Sequence, residues 1–260
     1  MTITPSIKKD YLINLAENGK RTDGRKFDEF RKISIETGVI SKAEGSARVK
    51  IGNTQVISGI KMDIGEPYPD SPESGVMTTA AELIPLASPD FEAGPPRENA
   101  IELARVVDRG IRESELIEVD KLCIEPGEKV WMVFIDIHIL DFDGNLFDAA
   151  SLASLAALLT TNVPAERFDL GEDYPLPLKE PPISCTSVKY KDTVVMDPSL
   201  DEEEIAEARL TVATDINGHL RAMQKGLNGS FTVDEIKKVI KASIDNGRKI
   251  QEQLYKSVGK

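Results

Sequence analysis

The stretch KVWMVFIDIHILDFDGNLFDAASLASLAALL, residues 129–159, contains the features that decide the fold. Residues 129–140 are predicted to form a strand, 143–148 a tight turn, and 149–159 a helix. A strand that leads through a turn into a helix N-terminus presents backbone N–H groups and the positive end of the helix dipole to an anion. The backbone frame of residues 129–159 is therefore typical of a phosphate-binding turn.

The side chains of this turn lack the chemistry that holds a phosphate. Such a site usually has small residues that allow close approach, a hydroxyl group, and a cation such as Arg. Here the turn has Asn145, Leu146 and Phe147, followed by Asp148. The carboxylate of Asp148 would repel an anion, and we expect it to cap the helix instead. The sequence thus predicts the geometry of a phosphate site without its chemistry.

The composition bounds the class of protein and its partners. The chain has 260 residues, enough for one large or two small domains, and a net charge of −12. This charge argues against free-standing affinity for nucleic acid or anionic membranes, so RNA contact would need a local basic patch or a partner's surface. We predict that Cys123 and Cys185 are small core residues in a reducing compartment. No apolar run is long enough to cross a bilayer, so we expect a soluble cytoplasmic protein without a membrane partner.

The order of predicted elements places the chain in the α+β class. Strands, a helix near 98–114, more strands and the helix at 149–159 come first, and further strands precede a final helix with a capping box at 232–235. Gly52 and Asn53 separate two strands that we expect to pair as a hairpin. This order predicts two βα lobes, each with a mixed sheet and helices on one face. The predicted boundaries are an N-terminal segment at 1–30, a first lobe at 31–165, a crossover at 166–182, and a second lobe at 183–260.

A row of arginines lies along the helix predicted at 98–114. Its members fall at i, i+4 and i+7 and are Arg105, Arg109 and Arg112. Arg97, just before the helix, extends the row. The forked guanidinium groups suit the phosphate backbone of a nucleic acid. The alternative is a solvated row paired with Glu98 and Glu102, and the helix alone does not decide between these interpretations.

Two groups of acidic residues are candidate metal ligands. The first group comprises Asp136, His138, Asp141 and Asp143. No further ligand is spaced to complete a coordination shell there, so we favour a buried, hydrogen-bonded pair of Asp136 and His138. The second group, at 201–204, is followed by Arg209, and we favour a solvated helical turn with acids near its N-terminus. We therefore predict no metal site and no cofactor.

Several segments resemble the RNase PH family. Residues 21–25, RTDGR, resemble the Arg-x-Asp-Gly-Arg segment that opens RNase PH-like domains, and residues 228–230, NGS, resemble the closing segment. Residues 66–70, EPYPD, and 94–109, GPPRENAIELARVVDR, resemble the non-catalytic RNase PH-like subunit of the archaeal exosome. The resemblance covers nearly the whole chain and implies the RNase PH-like fold.

The resemblance also implies an activity that we do not expect this chain to retain. Active members of the family degrade RNA from the 3′ end, with inorganic phosphate as the nucleophile, and release nucleoside diphosphates. Their phosphate cradle resembles Gly-Gly-Ser/Thr-Arg, where this chain has Gly144, Asn145, Leu146 and Phe147. Their later segment has two Asp residues six apart, and matching by the Glu-Ala-Asp pattern aligns Glu203 and Arg209 with those positions. Leucine and phenylalanine cannot donate hydrogen bonds to phosphate, and arginine cannot replace a carboxylate.

Assembly is a further implication of the resemblance. The inactive subunit pairs with a catalytic RNase PH-like subunit, and three such pairs close a hexameric ring under a trimeric RNA-binding cap. The inactive subunit contributes positive charge for single-stranded RNA near the active site at the pair interface. Among the residues of this chain, we nominate Arg105, Arg109 and Arg112 for that role, followed by Arg97. An acidic net charge is compatible with such a local, shared contact.

We therefore expect a non-catalytic ring subunit of an RNA-degrading complex that helps to structure its partner's active site. The first alternative is an active phosphate-dependent 3′-to-5′ exoribonuclease with an unusual site. The second is a small-molecule kinase or isomerase that shares only an α+β fold. This second alternative would require a Gly-rich nucleotide loop, and no glycine cluster in the sequence provides one.

Overall fold

The computed structural model describes residues 6–259, so residues 1–5 of the predicted N-terminal segment and residue 260 of the predicted second lobe lie outside it. The helices are α1 (Ser6–Glu17), α2 (Glu98–Glu113), α3 (Leu146–Leu159), α4 (Leu200–Glu204) and α5 (Val233–Ser257). The first sheet contains β1 (Ile33–Thr37), β2 (Gly45–Ile51), β3 (Thr54–Gly65), β4 (Val76–Leu83), β5 (Cys123–Glu125) and β6 (Lys129–Asp141). A short pair follows, formed by β7 (Asn162–Val163) and β8 (Tyr174–Pro175). The second sheet contains β9 (Ile183–Tyr190), β10 (Thr193–Met196), β11 (Ala208–Thr214) and β12 (Leu220–Gly226).

The first sheet is mixed and has the order β1-β2-β3-β6-β4, with β5 paired to β6. All its pairs are antiparallel except β4 with β6, which is parallel because α2 and β5 lie between these strands in the chain. The predicted hairpin is confirmed, since Ile51 pairs with Thr54 across Gly52 and Asn53. Gly52 has a φ of +60°, a conformation that a glycine adopts without strain. Along β6, buried residues alternate with half-buried ones, so one face of the sheet meets the core.

The second sheet was predicted to be mixed but is fully antiparallel, with the order β10-β9-β11-β12. Helix α5 packs on β9 and β11, and its N-terminus has the predicted capping box. The hydroxyl of Thr232 accepts from the Glu235 N–H at 3.3 Å, and the Glu235 carboxylate accepts from the Thr232 N–H at 2.7 Å. These two bonds satisfy backbone donors that the first helical turn cannot satisfy.

Helix α3 lies between the two sheets. It packs on β2 and β3 of the first sheet and on β9 of the second, and α2 packs beside it against β4 and β12. Every residue of α3 from Phe147 to Leu158 is buried. A helix that is covered on all sides consists mostly of apolar residues, which explains its run of Leu and Ala. The first sheet has its helices on one face, as predicted, but this prediction was wrong for the second sheet, which is covered on both faces. Thr186 of β9 contacts Asp148 of α3, whereas the preceding Cys185, which points to the opposite face, contacts Ser243 of α5.

One continuous apolar core includes residues from both predicted lobes, among them Ile135 and Leu155 of the first and Cys185 and Leu254 of the second. Cys185 is buried as expected, while Cys123 is half-exposed on β5, and both are free thiols. The β7–β8 pair was not predicted, because two-residue strands in a proline-rich segment give no periodic signal. None of the helices within residues 6–259 combines the length and apolarity needed to cross a membrane.

Candidate functional site

The turn that enters α3, residues 143–148, lies against the loop before α4. Gly144 has a φ of +86°, and a Cβ at this position would lie 2.5 Å from the carbonyl oxygen of Pro198. Asn145 follows with φ 58° and ψ 52°, a left-handed conformation that Asn tolerates better than most residues. Helix α3 then begins at Leu146, three residues earlier than predicted. The turn is thus closed from the side of the second lobe.

The prediction that Asp148 caps α3 was wrong. Its Oδ2 accepts from the Asn145 side-chain amide and from the Thr186 backbone N–H, both at 2.8 Å, and its Oδ1 accepts from the Thr186 hydroxyl at 2.7 Å. Because α3 starts at Leu146, Asp148 lies inside the first turn and is 3 % exposed. Burial raises the pKa of this carboxyl to about 7, although the three hydrogen bonds oppose the shift. Asp148 therefore links α3 to β9 rather than capping the helix.

Glu203 occupies the backbone donor that a phosphate-binding turn would offer to its ligand. The Asn145 N–H donates to Glu203 Oε1 at 2.9 Å. Burial raises the pKa of Glu203 to about 7, against the opposing influence of this hydrogen bond and of Arg209 and Arg31. A carboxylate from the second lobe thus takes the place at the helix N-terminus that suits an anion.

Phe147 and Arg209 are also brought together, from separate lobes. The Arg209 guanidinium carbon lies 4.0 Å from the centroid of the Phe147 ring, a cation–π contact. The same guanidinium donates from Nη2 to Glu102 Oε1 on α2. Gly226, the cross-strand neighbour of Arg209, leaves room for it, because a Cβ there would lie 2.5 Å from Arg209 Nη2. We call Asn145, Phe147, Glu203 and Arg209 the filled cluster, since their own contacts occupy the turn.

Three N-terminal arginines hold this arrangement in place, and their role was not recognised in the sequence. We call Arg21, Arg25 and Arg31 the N-terminal clamp. Asp197, which is fully buried, accepts from Arg25 Nη1 at 2.8 Å and from Arg31 Nη2 at 2.8 Å. Arg31 also donates to the carbonyl oxygens of Asp143 and Gly144 at 2.5 and 3.2 Å. Burial would raise the pKa of Asp197, but the hydrogen bonds and charge of Arg31 hold it below its ordinary value.

The prediction for residues 201–204, a solvated turn, was wrong at Glu202, which is buried. Arg21 Nε donates to Glu202 Oε1 at 2.9 Å, and Arg21 Nη2 donates to Oε2 at 2.6 Å. Arg21 is 4 % exposed and Glu202 is 2 % exposed. At the start of α4, Glu202 therefore faces the protein interior, because Arg21, far away in the sequence, supplies its counter-ion.

The predicted arginine row lies on the exposed side of α2, and the opposite side of the helix is buried at Leu103, Val107 and Ile111. Its partners differ from the expected Glu98 and Glu102. Arg112 pairs with Asp108, and Arg109 Nη1 donates to Gln224 Oε1 of β12 at 2.8 Å. Arg97 pairs with Glu92. Arg105 is exposed and makes no hydrogen bond or ion pair with any residue between 6 and 259.

The acidic group on β6 lies on the outer face of the first sheet. The expected buried pair of Asp136 and His138 was wrong: both are half-buried, and His138 Nδ1 lies 3.4 Å from Glu82 Oε2 on β4. Partial burial raises the pKa of Asp136, with His138 opposing the shift. In the part of the chain from 6 to 259, no three His, Cys, Asp or Glu side chains are arranged to hold a metal ion.

The raised pKa of Glu203 predicts a pH-dependent stability. A carboxyl whose pKa is higher in the folded state binds its proton more tightly there, so its contribution is full below about pH 4.5 and is lost as the pH rises through about 7. We expect Glu203→Gln, which keeps the acceptor for the Asn145 N–H, to remove this loss. Relative to the parent chain, the variant should gain about 1–3 kcal/mol of unfolding free energy between about pH 5 and pH 8.

Urea denaturation at the two pH values measures this difference. Glu207→Gln, a change of the same chemistry at an exposed neighbour, is the control and should leave the pH dependence as it is. An unchanged pH dependence in Glu203→Gln would contradict the assignment of a proton to this carboxyl.

Comparison with known proteins supports the fold. Residues 29–164 match domain 1 of the 3′ exoribonuclease family, and residues 180–246 match domain 2. The exosome complex component Rrp42 of Methanocella arvoryzae is 57 % identical over 252 residues, which cover 97 % of each chain. Rrp42 of Archaeoglobus fulgidus is 54 % identical over 254 residues, or 97 % of each chain.

Solved structures give the same result. A chain of the Archaeoglobus fulgidus exosome with RNA bound to the active site superposes with a TM-score of 0.93 and 54 % identity, covering 95 % of this chain and 98 % of that one. A chain of an archaeal exosome core superposes with a TM-score of 0.89 and 50 % identity, covering 96 % of each. The expected RNase PH-like fold is thereby confirmed, and the chain belongs to the 3′ exoribonuclease family.

Proposed function

We propose that this chain is a non-catalytic ring subunit of an RNA exosome. In this proposal it pairs with a catalytic RNase PH-like subunit, helps to structure that partner's active site, and contributes to RNA binding during 3′-to-5′ phosphorolytic degradation. Support comes from relatives that are named exosome components and match over nearly their full length. The similarity to a chain of an exosome with RNA bound to the active site adds to it.

The observation that carries the non-catalytic role is the filled cluster. The Asn145 N–H already donates to Glu203, and the Phe147 ring is covered by Arg209. An incoming phosphate would have to displace a carboxylate and would still meet Leu146 and Phe147, which have no donor for its oxygens. The positions that the resemblance aligns with a phosphate cradle and a catalytic carboxylate therefore stabilise each other rather than a substrate.

The resemblance further implies a hexameric ring of three such pairs and a trimeric RNA-binding cap on one face. The cytoplasmic location and the lobe boundaries at 31–165 and 183–260 remain predictions from the sequence. Single-stranded RNA is the proposed nucleic acid. The exposed α2 arginines support local RNA contact in a chain whose net charge is −12. The alternative of an active exoribonuclease would require phosphate to bind at a turn that is already occupied.

A triple substitution of Arg105, Arg109 and Arg112 to Ala tests the RNA role. We expect the reconstituted complex with the catalytic partner to assemble normally but to bind single-stranded RNA more weakly. The slope of log affinity against log salt should become shallower by about 0.7 for each phosphate group that the arginines no longer neutralise. The weakening should be similar for different RNA sequences, because phosphate contacts carry no base information.

The matched control removes three cations from the exposed side of α5, by changing Lys237, Lys241 and Arg248 to Ala. This control changes the net charge equally but leaves α2 intact, so it should retain most of the affinity. Fluorescence anisotropy with a labelled oligoadenylate, measured without phosphate, gives both the affinity and the salt slope. If the α2 variant and the unchanged complex had equal RNA affinity and equal salt slope, the three α2 arginines would not contact RNA.

A further inference from the structure

Helix α2 is attached to the second sheet by two polar links. At its start, Glu102 accepts from Arg209 Nη2 of β11, and two turns later Arg109 donates to Gln224 of β12 at 2.8 Å. Glu102 and Arg109 are seven residues apart, so they lie on the same side of the helix. On the second sheet, Arg209 pairs with Gly226, and Gln224 is two residues from Gly226 along β12. The side chains of Arg209 and Gln224 therefore lie on the same face of the sheet.

Arg105 lies between these two links on the helix surface. It is three residues from Glu102 and four from Arg109, the spacings at which helical neighbours contact each other. Its guanidinium has no partner among residues 6–259, whereas Arg109 and Arg112 are both engaged. Of the three arginines in the row, Arg105 is therefore the one with all of its donors available to an external anion.

The Arg209 side chain is well suited to act as a rigid support. Its side chain is 15 % exposed, its guanidinium stacks on Phe147, and the absence of a side chain at Gly226 gives it space. A planar guanidinium that is stacked on one face and bonded at one edge has little freedom to move. The carboxylate that it holds, Glu102, is 39 % exposed and would otherwise be free to rotate into solvent.

We propose that Arg209 is a positioning residue for RNA: through Glu102 it fixes α2 so that Arg105 is presented to the RNA phosphates. This inference rests on the proposed function and adds the mechanism of its RNA contact. The position that the resemblance aligns with a catalytic carboxylate thus acts on RNA indirectly, through the helix. Arg209 itself is not the proposed RNA contact, because its side chain is only 15 % exposed, its face covers Phe147 and its Nη2 donates to Glu102.

The test compares Arg209→Met, Glu102→Ala and Arg105→Ala in the complex with the catalytic partner, using a labelled oligoadenylate without phosphate. Removal of the Arg105 guanidinium should weaken binding by about tenfold. Arg209→Met and Glu102→Ala should each weaken it by about three- to tenfold, since both break the same link. Glu102→Ala is decisive, because it removes a negative charge and would tighten RNA binding if only long-range electrostatics mattered.

The matched control is Glu98→Ala, which makes the same charge change one turn earlier on α2 at an exposed position. It should bind RNA as tightly as the parent complex or more tightly. Arg209→Lys keeps a cation over Phe147 and beside Glu102, and it should retain most of the affinity. A purely structural role for Arg209 would lower the melting temperature without weakening binding by the folded complex.

Double variants then establish the route of the effect. If Arg209 acts through Arg105, neither Arg209→Met nor Glu102→Ala should weaken binding further once Arg105 is Ala. A weakening that persists in that background would overturn the inference, as would unchanged or tighter binding by Glu102→Ala. If Arg209→Met fails to fold, Glu102→Ala still decides, because it lies on the surface. If Arg105→Ala alone binds normally, this inference fails, while the triple variant still decides the proposed RNA role of α2, which separates the two failures.

Discussion

We expect the isolated chain to release no nucleoside diphosphate from single-stranded RNA when magnesium and inorganic phosphate are supplied. The backbone donor at Asn145 is occupied by Glu203, the Phe147 ring is covered by Arg209, and residues 143–148 include neither a hydroxyl nor a cation. Each missing donor to a developing charge is worth about 3–4 kcal/mol of transition-state stabilisation, so activity should fall below detection. Thin-layer chromatography of a labelled RNA reaction measures the product, with the catalytic homologue as positive control.

Restoring a cation to the turn should not restore activity. Phe147→Arg would place a second guanidinium where that of Arg209 already lies, 4.0 Å from the ring centroid. The two positive charges would repel each other, and the hydroxyl and the second carboxylate would still be missing. Phosphate-dependent diphosphate release from the purified parent chain or from this variant would mean that the phosphate site lies elsewhere.

The largest decrease in stability is expected when Arg21 is replaced by Met. This change leaves the Glu202 carboxylate buried without its bidentate partner, at a position that is 2 % exposed. Removing one member of a buried ion pair typically costs about 3–5 kcal/mol, because the remaining charge has neither water nor a counter-ion. The free energy of unfolding from urea denaturation should therefore fall by that amount.

Two further variants make this measurement specific. Arg48→Ala breaks an exposed pair with Glu36 and should cost at most about 1 kcal/mol. In the double variant Arg21→Met with Glu202→Leu, part of the stability should return, because no uncompensated charge remains. The carbonyl oxygens of Met196 and Asp197 would still lack their Arg21 donor. A decrease of under about 1 kcal/mol in Arg21→Met would show that water reaches Glu202 and that the pair is not a structural requirement.

The elements of the fold were largely predictable because their signals are local. The strand at 129–140 and the hairpin across Gly52 and Asn53 were predicted, since apolar pattern and flanking turn residues define them without distant information. The capping box of α5 likewise lies within four residues. By contrast, β7 and β8 depend on pairing across a proline-rich segment and were missed.

The candidate site was predictable in composition but not in contacts. The sequence identified the unusual residues of the turn, and the structure brings Asn145, Phe147 and Arg209 into one cluster. The roles of Asp148 and Glu202 could not be derived, because their partners are 38 and 181 residues away in the chain. Whether a carboxylate caps a helix, faces solvent or closes an ion pair depends on which distant donor the fold supplies.

The N-terminal clamp has a consequence for biogenesis. Arg21 and Arg31 emerge from the ribosome early, but their partners Glu202 and Asp197 follow only 181 and 166 residues later. Closing so long a loop costs more chain entropy than forming a local contact, and nonlocal contacts slow folding. During synthesis from the N-terminus, these arginines therefore lack their ion-pair partners at a stage when β1 to β6 and α3 can already pack together. Formation of the clamp therefore requires synthesis to continue past residue 202, and a truncated translation product that ends before residue 197 cannot form it.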